Sequence, residues 1–293
     1  MSILVDEDTK VVIQGITGRE ASEKLPAMQE YGTEVVAGVT PGKEGQEVEG
    51  VPVYDTVSSA AADHDFDTSL LYVPPFAAKD AAFEAMEHVD LLNIITERVP
   101  TRDTYRMLQR AEETDTRIVG PTSVGIISPG KCKLGPIGGI DAEDVYGSGR
   151  VGVASKSGGM TTETAWQVNQ AGYGVSTAAG LGGDVLQGTS FADMLQLFEE
   201  DEQTEAAVVF GELGGTYEEK AADVVEDIDL PVVAFVAGEF AEELPSTNYG
   251  HAGAVIRGDR GKPSEKKRRL RNAGARVVDQ HHLVGHALKE ILD

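Results

Sequence analysis

Short runs of apolar residues alternate along most of the chain with stretches of helical period, and nearly every run closes on a glycine, proline or threonine turn. Lys10–Gln14, 34–38, 68–73, 91–96 and Arg117–Val119 are such runs in the N-terminal part. They are apolar throughout, as strands covered on both faces are, so they predict a parallel sheet. Helices are predicted from the turn at Gly15 to Tyr31, over 77–88 and over Thr101–Thr114.

Residues 124–150 hold many glycines, two prolines (Pro129 and Pro136) and little periodicity, and are read as the join between two domains. A second alternating series follows. Strand 151–154 leads into Ser155-Lys156-Ser157-Gly158-Gly159 and a helix through Val168, and strand 206–210 leads into Gly211-Glu212-Leu213-Gly214-Gly215 and another helix. Strand 232–236 leads into the loop Asn248-Tyr249-Gly250-His251-Ala252-Gly253-Ala254-Val255. The expectation is an α/β chain: a Rossmann-like domain over 1–125, then a flavodoxin-like doubly wound domain over 126–293. Ligands of such sheets sit outside the carboxyl ends of the strands.

Composition narrows the class. A length of 293 residues lets two domains each bury a core. Cys132 is the single cysteine, so no intrachain disulfide can form and a reducing, intracellular setting fits. The N-terminus is acidic where a secretory signal is apolar, and no apolar stretch reaches membrane-spanning length, so a soluble cytoplasmic protein without membrane contact is expected. Acidic residues outnumber basic ones 49 to 25, for a net charge of −24. That argues against nucleic acid as a partner, and with 41% hydrophobic residues it resembles the solvated surface of a salt-adapted, halophilic protein rather than disorder. One basic run, Lys262 to Arg271, is read first as a solvated helix face and second as a contact for an acidic partner or a phosphate.

The strand, glycine turn and helix over Lys10 to Glu20 aim backbone N–H groups at whatever lies above, typically a phosphate. The third glycine of the dinucleotide fingerprint is missing. Where a nicotinamide cofactor needs an acidic residue after the second strand, Thr40-Pro41-Gly42-Lys43 stands instead, which favours a phosphate-rich ligand that Lys43 can meet. His251 lies among small residues that let backbone approach closely, and imidazole near neutral pH is a nucleophile able to carry a phosphoryl group. Taken alone, such a histidine is more often an ordinary loop residue. If the strand order is as read, His251, Glu212 and the helix start at Ser157-Gly158 share one sheet edge: the helix N-terminus suits a phosphate, and Glu212 can fix the ring tautomer. His282 and His286 have the spacing of a metal pair, but no third ligand is near and no metal site is expected. His64 and His88 read as surface residues.

With these pieces in place the chain resembles the alpha subunit of succinyl-CoA synthetase (succinate-CoA ligase, NDP-forming) over nearly its whole length. The likeness is carried by Gly250-His251-Ala252-Gly253-Ala254, Gln14-Gly15-Ile16-Thr17-Gly18, Val39-Thr40-Pro41-Gly42-Lys43, Tyr72-Val73-Pro74-Pro75, Ile95-Thr96-Glu97, Gly182-Gly183-Asp184 and Gly211-Glu212-Leu213-Gly214-Gly215. The resemblance implies a first domain that binds coenzyme A through Thr17, Gly18, Arg19, Glu20, Lys43 and Ile95 to Glu97. It also implies a phosphohistidine at His251 with Glu212 beside it, and phosphate held at Ser157 and Gly158. No Gly-x-x-x-x-Gly-Lys-[Ser/Thr] occurs in this chain; the resemblance implies that ATP or GTP with Mg²⁺ is bound by a beta subunit of ATP-grasp fold, in an αβ or α2β2 assembly.

The departures concern substrate choice. Where the family shows Ser-Arg-Ser-Gly-Thr-Leu-Thr-Tyr, this chain has Ser155 to Thr162, so the arginine is Lys156 and the tyrosine assigned to substrate contact is Thr162. The usual Pro-Asn-x-x-Gly is Pro121-Thr122-Ser123-Val124-Gly125. A ligase for another small carboxylate, such as malate, acetate or a branched acid, is therefore weighed beside succinate. So is a non-catalytic CoA-binding protein. A dinucleotide dehydrogenase has only the first glycine turn in its favour.

Overall fold

The computed structural model describes residues 3–243 and 261–293. The loop that carries His251 lies outside the described residues.

The first sheet has strands β1 (Lys10–Gln14), β2 (Glu34–Val39), β3 (Glu47–Val48), β4 (Val51–Tyr54), β5 (Thr68–Leu71), β6 (Leu91–Ile94) and β7 (Arg117–Val119). Their order is β3-β4-β2-β1-β5-β6-β7, parallel except for the β3–β4 pair. Leaving out the short β3, this is the 3-2-1-4-5-6 order of a Rossmann sheet. Helices α1 (Arg19–Glu30), α2 (Val57–Asp63), α3 (Ala78–Ala85) and α4 (Thr101–Thr114) make the crossovers.

The second sheet holds β8 (Gly125–Ser128), β9 (Cys132–Leu134), β10 (Ser148–Ser155), β11 (Val175–Gly180), β12 (Ala206–Glu212), β13 (Val232–Ala237) and β14 (Arg276–Val277). The order β14-β13-β12-β10-β11-β8-β9 is the flavodoxin-like 2-1-3-4-5 arrangement with an antiparallel β8–β9 hairpin added at the β11 edge. Its helices are α5 (Ala142–Val145), α6 (Gly158–Gln170), α7 (Phe191–Glu200), α8 (Tyr217–Val225), α9 (Pro263–Asn272) and α10 (Val284–Leu292). Among the described residues no helix is long and apolar enough to cross a membrane.

Three readings of the sequence change here. Residues 124–150 are not a bare join, because β8 and β9 pair into the second sheet. The two units also share a core: Leu25 and Met28 of α1 are fully buried in one cluster with Ile126, Cys132 and Leu134. Each such side chain contributes about 1.5–3 kcal/mol by leaving water. Finally, the basic run is only partly solvated: Lys266 and Lys267 of α9 are 0% and 3% exposed.

The C-terminal histidines separate as well. His286 meets Glu290 on the surface, and no cluster of metal-ligating residues occurs among the described residues. His281 packs against Phe210 and Phe235, with ring centroids 5.5 and 5.6 Å away, and its Nε2 is 2.9 Å from Thr164 Oγ1. Burial first, and His282 second, push its proton affinity below the ordinary value of 6.5, against an opposing pull from Glu163. The unfolded chain then binds more protons than the folded one just below pH 6.5, so stability falls as pH drops through that value. We expect the melting temperature of wild type relative to His281→Phe to decline over this interval; a difference independent of pH contradicts the assignment.

Candidate functional site at two helix N-termini

Each sheet reverses its strand order once beside its first parallel strand, at β1 and at β10, and both carboxyl ends open on one cavity of about 800 Å³. From β1 come Gly15, Thr17, Gly18 and Glu20; from β10 come Lys156 and Gly158. Tyr72 to Pro75, Ile95 to Glu97 and Thr122 to Val124 line the space between.

The turn after β1 requires its glycine. Gly15 has φ +82°, and a Cβ there would lie 2.8 Å from the Tyr72 carbonyl oxygen. Its N–H donates to the Val39 carbonyl at 2.7 Å, while Gly18 N–H closes the turn on the Gly15 carbonyl at 2.9 Å. Helix α1 starts with no side-chain cap, and its first helical bond runs from Ser22 N–H to the Gly18 carbonyl at 3.0 Å. The preceding N–H groups, of Arg19, Glu20 and Ala21, thus have no partner inside the helix and face the cavity end with its partial positive charge.

Helix α6 repeats the device. Ser157 provides no side-chain cap, and Thr161 N–H to the Ser157 carbonyl, 2.9 Å, is the first helical bond. Ser155, fully buried, holds the turn: its Oγ accepts from Ser157 N–H at 3.1 Å and donates to the Ser157 carbonyl at 3.0 Å. Two uncapped helix starts on one cavity make a receptacle for two separate phosphate groups.

The wall between them is stapled. Thr122 and Ser123 N–H donate to the carbonyls of Thr96 and Ile94, both at 3.1 Å. Ser123 Oγ accepts from Asn93 and donates to the Gly180 carbonyl at 2.6 Å, and Thr122 Oγ1 donates to Asp184 at 2.8 Å. The Tyr72 hydroxyl has no hydrogen-bond partner among the described residues, and burial pushes its proton affinity up, so it stays a neutral donor.

The residues expected at the site divide accordingly. Thr17, Gly18, Glu20, Ile95, Thr96, Glu97 and Gly158 meet at the cavity. Arg19 does not line it: its side chain is 91% exposed and lies 4.0 Å from Glu23. Lys43 is in an exposed turn whose N–H donates to Asp55, and Thr40 takes the lining position instead. Ser157 acts as the start of α6. Thr162 is not among the residues that line the cavity; its Oγ1 accepts from the buried Tyr146 hydroxyl at 3.1 Å. Glu212 ends β12, beside β10 on one side and β13 on the other, so the three strand ends are neighbours in the sheet, and Glu212 is not among the residues that line the cavity. Lys156, known from sequence only as a departure, lines the cavity at 5% exposure with Nζ 3.3 Å from Glu218 Oε1. Ser155 is visible in the sequence only as the first residue of the turn before α6, and Glu218, in an acidic helix turn, carries no sequence signal.

Residues 6–98 match the CoA binding domain family and residues 154–287 the CoA-ligase family. The succinate–CoA ligase [ADP-forming] subunit alpha of Methanothermobacter thermautotrophicus is 45% identical over 95% of this chain and 93% of its own. The ADP-forming sulfoacetate-CoA ligase subunit SqwL of an Acholeplasma species is 42% identical over 99% of this chain and 98% of its own. Among solved structures, ATP citrate lyase from Methanothrix soehngenii, in complex with citrate and coenzyme A, superposes with a TM-score of 0.92 at 25% identity. That match covers 99% of this chain and 50% of the longer protein. By these matches and this fold, the chain belongs to the alpha-subunit family of the ADP-forming succinate–CoA ligases.

Proposed function

We propose that this chain is the CoA-binding and phosphoryl-carrying half of an acid–thiol ligase, with succinate as its acid, working through phosphohistidine at His251. The observation that carries the reading is the single cavity shared by two uncapped helix starts, one for the pyrophosphate of CoA and one for the phosphoryl group in transfer. The unit over 1–125 binds CoA through the α1 turn, and the unit over 126–293 carries the ligase chemistry. A nucleoside triphosphate with Mg²⁺, held by an ATP-grasp beta subunit, supplies the phosphoryl group.

The chemistry follows from what each group can hold. A carboxylate is a poor acylating agent; an acyl phosphate is a good one. The N–P bond at His251 breaks as a carboxylate oxygen takes the phosphoryl group, with charge held by the α6 N-terminus near Ser157 and Gly158. The CoA thiol then attacks the acyl carbon, the C–S bond forms, and the C–O bond breaks to release inorganic phosphate, while the thiol proton passes to phosphate or solvent. Glu212 accepts from one ring nitrogen and leaves the other bare for phosphorylation.

A second reading changes the acid only. It rests on Thr162, whose hydroxyl is engaged by Tyr146 rather than offered to the cavity, and on Lys156 where an arginine fork would clamp a carboxylate. The sulfoacetate enzyme subunit is about as similar to this chain as the succinate enzymes are. Assembled with its beta subunit, ATP, Mg²⁺ and CoA, the chain is expected to release phosphate in an acid-dependent manner, fastest with succinate. A faster rate with malate, acetate or sulfoacetate selects the second reading, and no release with any of them removes both.

A further inference from the structure

Behind the β12 turn lies a buried charge cluster that the reaction as described does not use. Glu218, fully buried on α8, directs Oε1 to Glu212 N–H at 3.0 Å and to Lys156 Nζ at 3.3 Å, and Oε2 to Lys266 Nζ. Lys266, fully buried on α9, donates also to the carbonyls of Glu212 at 2.8 Å and Gly214 at 2.5 Å. Three acceptors exhaust an ammonium group. Gly214 N–H donates to the Gly261 carbonyl at 2.8 Å, so the lead into α9 is tied to the same turn. Gly211 leaves room for the carboxylate, since a Cβ there would lie 2.7 Å from Glu218 Cγ.

Burying Lys156 and Lys266 with Glu218, and with Glu219 also close enough to act on Lys266, is costly, and an apolar core of equal volume is often as stable. What an apolar core cannot do is satisfy the Glu212 and Gly214 carbonyls and the Glu212 N–H, all of them backbone groups of one turn. The bonds go to the backbone that carries Glu212. We propose that Lys266 and Glu218, with Lys156 closing the cluster toward the cavity, are positioning residues for the ligase reaction: they lock the Gly211–Gly215 turn and fix the backbone from which Glu212 acts. This rests on the reading of Glu212 as the carboxylate that serves the phosphoryl carrier.

The test uses the assembled two-subunit enzyme. Glu218→Leu combined with Lys266→Met removes the Glu218–Lys266 pair at similar volume, leaves Lys156 without its Glu218 partner, and is expected to lower kcat by roughly 100-fold, the cost of a small misplacement at a reacting centre. KM for CoA and the Kd of CoA by calorimetry are expected to stay within about twofold of wild type. Adding Glu212→Gln to the pair is expected to cost little more than Glu212→Gln alone, because both act through one carboxylate. If the pair loses its cooperative unfolding transition, Glu218→Gln carries the same expectation at about tenfold. Wild-type kcat in the pair, losses that multiply with Glu212→Gln, or CoA affinity that falls in step with kcat overturns the inference. A wild-type enzyme without acid-dependent ligation sinks the functional reading and this inference together; normal ligation with an unimpaired pair sinks the inference alone.

Discussion

Gly15→Val is expected to weaken CoA binding by roughly 100-fold and to lower stability by about 3 kcal/mol. Two costs combine. At φ +82° a β-branched residue is strained, and its Cβ would press on the Tyr72 carbonyl oxygen from 2.8 Å. Relief moves the turn, and with it the α1 N-terminus proposed to meet the pyrophosphate. Losing two charge-assisted hydrogen bonds at about 1.5 kcal/mol each gives about 3 kcal/mol, which is the stated factor. Gly32→Ala separates the costs: Gly32 has φ +99° with nothing within 4 Å of where a Cβ would sit, and it does not line the cavity. It is expected to lose stability and keep CoA affinity. Calorimetry and denaturant unfolding of the two variants side by side check both halves, and equal CoA affinity in Gly15→Val contradicts the placement of the coenzyme.

Much of the frame is legible because it follows from apolar runs. Lys10–Gln14, Arg117–Val119 and Thr101–Thr114 have the bounds their residues predict. Strand Val175–Gly180 is not, because Ser, Thr, Ala and Gly fill it, small residues that pack a crowded sheet but carry no apolar signal. The hairpin of β8 and β9 is hidden by its glycines: Gly125 and Gly135 have positive φ at close backbone contacts and make short strands look like loop.

At the site, the glycine turns and helix starts are readable, since N–H donors at a helix N-terminus follow from chain geometry alone. The cluster around Lys266 is not. A lysine in a basic run reads as solvated, and its partner Glu218 lies 48 positions away, so only the packing of α8 on α9 brings them together. Lys43 and Arg19 read as ligand-facing because each is a cation near a turn; both side chains are exposed, and neither is among the residues that line the cavity.

The second large effect concerns His251. His251→Asn is expected to abolish phosphoryl transfer altogether, because asparagine keeps hydrogen-bonding capacity but has no nucleophilic nitrogen to form the N–P bond. CoA affinity is expected to be unchanged, since the α1 turn proposed to hold the coenzyme belongs to the other sheet. Loss of ligation with retained CoA binding separates the relay from the coenzyme site.

The most direct measurement incubates the assembled enzyme with ATP labelled at its terminal phosphate and Mg²⁺, without CoA or acid, and follows the label on this chain. The account predicts one acid-labile, base-stable phosphoryl group at His251, discharged by adding ADP and absent from His251→Asn. A wild-type chain that takes no label, or a His251→Asn chain labelled to the same extent, contradicts it.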